Sequence, residues 1–389
     1  MLKTNPMTSA RAAETLFHSS SGLSLGLSMC ICLGLHAPVW GLLLGAGFAL
    51  AGIAEEKSRR LPVYLTFSVL YYTLTSRGMR TAQLALLIAA ALLFVSSFFL
   101  QKLLPLLRAP VMTGLLFATV LTVTVIQTNV YFGIGASGAS VMEMLRTYRS
   151  LGFHPNWRGI LYGTIVMVVM ITVPRKFKRF GKAFSAALLG LVIVFLLNLW
   201  LIPDGLPRVV AEIGVQSRPL SAAWRDFAES ALPLRPQHAV LCGVALWISQ
   251  LLSAAALPER QTQAAKAAAP VSALTTPGLL FLPPVAPLRR SRVIAALLLL
   301  ALACVSAFTG YGVFGRLPAA ACGVLLIVGA WQSVAWGKLK EALQSREAAP
   351  GFILVVLLTL LHSIAFGCIL AAVLSVVNYI LSLKRRKEV

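Results

Sequence analysis

Apolar residues follow one another along this chain in long runs, and none of its twelve Asp or Glu side chains lies deep inside a run. The stretches Leu84 to Phe99, Val111 to Ile126, Ile160 to Val173, Ala183 to Leu201, Val293 to Phe308 and Phe352 to Leu361 carry no charge at all. A charge at the centre of a bilayer costs several kcal/mol, so this pattern predicts helices that cross a membrane. Spanning the hydrocarbon takes about 20 apolar residues. The chain has room for roughly a dozen such helices, several of them short or broken by Gly and Pro.

The runs fall into two series. The first comprises Gly22 to Leu35, Val39 to Ala54, Val63 to Leu74, Leu84 to Leu100, Val111 to Ile126, Ile160 to Val173 and Ala183 to Leu201. A polar stretch from Pro203 to Gln237 follows, in which Leu220, Trp224 and Phe227 recur at helical spacing and predict an interfacial helix. The second series comprises Ala239 to Leu252, an Ala-rich piece at Ala264 to Ala273, a Pro-rich break at Pro277 to Pro287, and runs at Val293 to Phe308, Ala319 to Val334, Phe352 to Phe366 and Ile369 to Leu381. This divides the chain into a first transmembrane repeat (1–205), an extracytoplasmic linker (206–237) and a second repeat (238–389). Short or interrupted segments at corresponding places, here Val63 to Leu74 and Pro277 to Pro287, are the sequence signature of a transporter with a midplane site.

Composition sharpens the class. With 58% hydrophobic and 12% charged residues, the chain has more apolar surface than a soluble domain of 389 residues can bury. A net charge of +22 would suggest nucleic acid in a soluble protein. Here the basic residues flank the spans: Arg59 and Arg60, Lys102 and Arg108, Arg175 to Lys182, Lys338 and Lys340, and Lys384 to Lys387. That distribution predicts a cytoplasmic basic side with both termini on it, in contact with anionic lipid and without nucleic acid. The segment around Glu14 is too polar for a secretory signal, so nothing is expected to be cleaved.

Candidate chemistry is sparse. Cys30, Cys32, Cys242, Cys304, Cys322 and Cys368 all lie in apolar runs and read as buried hydrophobes, with neither metal-site spacing nor partner ligands. Of five His, only His362 lies in a strongly apolar run, where a functional role and a hydrogen bond to a neighbouring helix are equally open. No metal, cofactor or enzymatic activity is expected. A broken helix exposes backbone N–H groups that attract anions, and Arg289, Arg290 and Arg292 follow the break in the second series. They read either as part of an anion site or as a flanking cluster that only sets orientation, and spacing alone favours the latter.

Several motifs resemble the SulP sulfate-permease-like anion transporters. Pro110-Val111-Met112-Thr113-Gly114, running through Ile126-Gln127 to Gly133, is similar to that family's fifth helix, and Ile202-Pro203-Asp204-Gly205-Leu206-Pro207 resembles its Ile-Pro-x-Gly-Leu-Pro after the seventh. Pro38 to Leu42, Ser58 to Val63 and Leu317 to Ala320 are similar to further family motifs, in the family's order. The resemblance implies an all-α polytopic membrane protein of about 12–14 segments, arranged as two inverted seven-segment repeats with a core and a gate domain. It implies secondary transport of a small anion by elevator-like displacement of the core, in a bacterial inner membrane, with a homodimer as a compatible assembly. Pro283 corresponds to the Pro before the family's tenth helix, and Arg290 and Ser291 stand near its basic and hydroxyl positions. With Gln127 these form the expected binding set.

The chain also departs from the family. Tyr64 and Leu65 stand where the third helix has Gly-Pro, Leu280 and Phe281 replace Gly-Gly before the tenth, and Ser249 or Gln250 falls where the eighth often has Glu. The first helix lacks the Pro-Gln pair, and no STAS domain is expected beyond Val389. A non-transporting scaffold subunit that kept the fold is therefore the competing expectation. A nucleobase permease, which shares the architecture, would use intramembrane carboxylates that this chain lacks.

Overall fold

The computed structural model describes residues 6–35, 38–55, 57–107, 109–134, 138, 140–152, 154–177, 184–201, 235–256, 289–309, 317–345 and 347–388. The expected interfacial helix around Trp224, the Ala-rich piece and the Pro277 to Pro287 break lie outside them. The described residues form fourteen helices and no strand. In order they are α1 (Pro6–Cys32), α2 (Pro38–Ala51), α3 (Lys57–Ser97), α4 (Leu100–Leu107), α5 (Pro110–Phe132), α6 (Val141–Leu151), α7 (Trp157–Lys176), α8 (Ala186–Leu201), α9 (Pro236–Ala255), α10 (Arg290–Thr309), α11 (Ala319–Gln332), α12 (Trp336–Gln344), α13 (Ala349–Leu361) and α14 (Ile364–Glu388). Six are long and apolar enough to cross a membrane, or seven if α11 and α12, bent by 58° to each other, count as one span. Val39–Ala51, Ala186–Trp200 and Ala349–Leu361 are shorter apolar helices. The chain is an integral membrane protein.

Local chemistry sets the helix ends. Pro110 opens α5, where its missing N–H costs nothing. Ser140 caps α6 by accepting from the Glu143 N–H, and Asn156 caps α7 by accepting from Arg158 and Gly159. Helix α3 is a hairpin. Gly78, at φ 78 and ψ 176, interrupts it with backbone angles that a residue with a Cβ rarely adopts. Thr66 Oγ1 lies 2.9 Å from Ser249 Oγ, while Trp247 Nε1 donates to Ser96 Oγ at 2.9 Å. In a straight helix Thr66 and Ser96 would be about 45 Å apart, yet both meet adjoining residues of α9. The two arms therefore fold back at Gly78, with α9 running antiparallel to the first and parallel to the second.

A second parallel pairing joins the other helices of the two series. Helix α1 lies parallel to α10: Glu14 meets Arg289, and a Cβ on Gly22 would come within 3.1 Å of Leu299. Each repeat's opening helix thus packs along a helix of the other repeat. Gly22 and Gly26 of α1 face Gly41 and Gly45 of α2 so closely that a Cβ on Gly26 would lie 2.2 Å from the Gly41 carbonyl. Small residues four apart on both helices allow this approach, the usual route to tight helix packing in lipid. Helices α1, α2 and α10 pack on one another and α3 packs on α9, and these two sets make the core group; α5, α7, α8, α11, α13 and α14 make the gate group. Along the seam α3 meets α5, α9 meets α14, and α1 meets α11.

Two readings of single residues change. Cys304 is exposed on α10 while the other five cysteines are buried, because α10 presents one side to core helices and the other outward. His362, at the end of α13, is exposed and packs edge-on to Phe366 at 4.9 Å.

Candidate functional site

Five charged or titratable groups converge where the first half of α1, the α2–α3 connection and the start of α10 meet. Arg292 holds both carboxylate oxygens of Glu55, with Nε 3.0 Å from Oε1 and Nη2 on Oε2. His18 Nε2 is 2.9 Å from the same Oε1, and Arg289 Nη1 reaches Glu14 at 3.4 Å and Glu55 at 3.8 Å. The His18 side chain is fully buried, Arg292 is 5% exposed and Glu55 24%. Partial burial raises the Glu55 carboxyl, but the Arg292 guanidinium bonded to it outweighs this and holds it below the usual carboxylate range. Gly52 makes room for the cluster: at φ +66, a Cβ there would lie 2.4 Å from the Arg292 Cζ.

Oxygen and nitrogen atoms of Glu14, His18 and Glu55 lie within 4.8 Å of one another, close enough to share a metal ion. Two guanidinium groups already occupy these carboxylates, so a cation would have to displace them. The arrangement is that of an ion-pair network tying α1 and α10 to the α2–α3 connection.

Arg59 and Arg60 do not lie in a loop. They sit in the first turn of α3 and turn back onto α2, Arg59 Nη1 donating to the Ala51 carbonyl and Arg60 to those of Ile53 and Ala54. Their charges satisfy the carbonyl end of α2, where a cation is favoured. Arg59 is only 1% exposed. The segment expected at Val63 to Leu74 starts earlier and runs on, since α3 is helical from Lys57 through Tyr64 and Leu65. Tyr64 instead fills the seam: a Cβ on Gly329 of α11 would stand 2.1 Å from its hydroxyl.

Further along the seam, Thr66 and Ser249 bond to each other, while both amide atoms of Gln250 and the Ser253 hydroxyl are buried without a hydrogen-bond partner. Unpaired polar groups in a protein interior are costly, so a water or ligand that bonded to them would be held there. A cavity of about 620 Å³ opens beside them, walled by the start of α3, the end of α9, the α4–α5 corner and the α11–α12 elbow.

The expected binding residues are dispersed. Arg290 is exposed at the first position of α10, Ser291 beside it is buried, and Pro283, like Leu280 and Phe281, falls outside the described residues. Gln127 lies in α5, fully buried, with neither amide atom partnered and its Oε1 3.1 Å from where a Cβ on Gly323 would be. Helix α10 packs on α1 and α2, whereas α5 packs on gate helices and α3, so Arg290 and Gln127 belong to different groups. The sequence reading passed over His18 and Glu55, and took Arg292 only as one of a basic cluster. The available signal was a carboxylate just past an apolar run beside an Arg-rich helix start.

No protein-family model matches the chain, and no curated protein matches it by sequence. Solved structures do match in fold. The transmembrane domain of a cyanobacterium bicarbonate transporter, BicA, aligns with TM-score 0.53 and 14% identity over 92% of this chain and 96% of that domain. SLC26A9 aligns with TM-score 0.51 and 12% identity over 96% of this chain and 66% of its own, and the murine Slc26a9 anion transporter in the inward-facing state with TM-score 0.50 and 12% identity over 98% and 69%. The chain thus shares the fold of these transmembrane domains and spans about two thirds of SLC26A9.

Proposed function

We propose that this chain is a diverged relative of the SulP-type carriers and moves a small anion, sulfate-like, bicarbonate, chloride or dicarboxylate, by displacing the core group along the gate group. The observation that carries the reading is the fold shared over 92% of the chain with a bicarbonate transporter's transmembrane domain. Gln127, Gln250 and Ser253 support it, since an anion in the seam would accept the hydrogen bonds that their buried donors lack. In this reading Arg290, with Ser291 and Pro283 beside the tenth-helix position, draws the anion toward the seam by its field. The basic side faces the cytoplasm with both termini, in a bacterial plasma membrane, and the repeats divide at the 206–237 linker.

Uptake into proteoliposomes of sulfate, bicarbonate, chloride and dicarboxylates tests this directly. Flux of at least one anion, lowered by Arg290→Ala, is the expected result; flux unchanged by that substitution removes Arg290 from the site. The unbroken start of α3 and the wedge of Tyr64 against Gly329 favour a second reading, a scaffold subunit that keeps the fold without transporting. Flux of none of the four anions supports that reading instead.

A further inference from the structure

The 620 Å³ cavity has its own chemistry, separate from the anion reading and independent of it. Its walls come from both groups, with the apolar side chains of Leu61 and Leu252 from the core and Leu116 and Phe117 from the gate, and the hydroxyls of Thr113, Ser333 and Ser345 among them. Its remaining side carries Lys338 and Glu341 of α12, one turn apart on the same helix, exposed, and without a side-chain partner among the described residues. Helix α12 leaves α11 at 58°, buries Leu339 and Ala342, and exposes Trp336 and Lys340. A short amphipathic helix turned away from the spans at their ends, with an exposed Trp, belongs at the headgroup level of a bilayer. The mouth of the cavity therefore lies where lipid headgroups lie, and it offers one cation and one anion side by side above an apolar interior.

We propose that this cavity binds one aminophospholipid of the phosphatidylethanolamine type. An acyl chain enters between α3, α9 and α5, the phosphate pairs with Lys338, and the primary ammonium donates to Glu341. A volume of this size, with Leu61, Leu116, Phe117 and Leu252 along its walls, suits an acyl chain. The ammonium distinguishes this lipid from a choline lipid, whose quaternary nitrogen has no hydrogen to donate to Glu341. Seated there, the lipid touches both groups.

Native mass spectrometry tests the proposal on the full chain, purified in mild detergent and exchanged against equimolar phosphatidylethanolamine, phosphatidylcholine and phosphatidylglycerol. One ethanolamine lipid per chain should be retained, about tenfold over the choline lipid, the discrimination expected of one charge-assisted hydrogen bond. Glu341→Gln should abolish that preference, Lys338→Ala should weaken retention of both lipids, and Leu116→Trp or Thr113→Phe, which fill the cavity, should prevent it. Equal retention of all three lipids, or retention unchanged in both filled variants while their helicity is intact, overturns the proposal. Retention of phosphatidylglycerol alone overturns it too, and assigns the cavity to an anionic headgroup through Lys338.

Discussion

Removing both partners of the Arg292–Glu55 pair should cost less than the two single removals added together. Arg292 is 5% exposed and bonds both oxygens of Glu55, so Glu55→Gln leaves a guanidinium out of water with no carboxylate on it. Breaking a buried pair in this way costs about 3–5 kcal/mol. Glu55 is itself 24% exposed, and water reaching the pair reduces the expected loss to about 2–3 kcal/mol. Arg292→Met should cost less, about 1–2 kcal/mol, because Glu55 keeps His18 at 2.9 Å and Arg289 at 3.8 Å. The double substitution should fall short of the summed single losses by about 1–2 kcal/mol, as expected for residues in direct contact. The measurement is reversible unfolding in mixed micelles titrated with a denaturing detergent, followed by helicity, for all four proteins of the cycle. Single losses that add within about 0.3 kcal/mol would refute the coupling and with it the role given to the network.

The same pair sets a pH dependence. Glu55 has a folded-state pKa below its unfolded value of about 4.3, so its contribution is present above that pH and is lost as pH falls through the lower folded value. Unfolding curves of the wild type should therefore lose stability in that acidic window, and those of Glu55→Gln should lose less. At the seam, Gly329→Ala should destabilise by about 1–3 kcal/mol because its Cβ would meet the Tyr64 hydroxyl at 2.1 Å, and adding Tyr64→Phe should restore most of the loss in the same assay. Gln127→Leu should raise stability by about 1–2 kcal/mol by removing an unpartnered buried amide, while lowering anion flux in proteoliposomes. A loss of stability there would show that Gln127 is a structural residue.

How much of this was legible in the sequence follows from what a linear pattern reports. Charge-free runs located the spans, because lipid excludes charge along the whole width of a helix, and the motif order from Pro38 to Pro207 pointed to the fold that the BicA domain shares. The hairpin at Gly78 was visible as two separate runs, Val63 to Leu74 and Leu84 to Leu100. What was not legible depends on which side chains meet. Arg59 reads as a loop charge because its burial comes from the carbonyl end of α2, a partner that composition does not encode. Glu55 and His18 are unremarkable until α1, α2 and α10 come together. Arg292 differs from the exposed Arg290 only by a two-residue rotation around α10, which turns one guanidinium inward and the other out. Of the expected binding set, Gln127 is buried and unpartnered, while Pro283 lies outside the described residues.

The fold-back at Gly78 also bears on biogenesis. Thr66 and Ser249 are 183 residues apart in the chain, so at 5–20 residues per second the α3 arms leave the ribosome roughly 10 to 40 s before their partner helix exists. During that wait their hydroxyls need no help. Thr66 donates to the Pro62 carbonyl, Ser68 to Tyr64, Thr73 to Val69 and Ser96 to Leu93, each within its own arm. The newborn hairpin can thus enter hydrocarbon with these four hydroxyls already answered, before α9 arrives to pack on it.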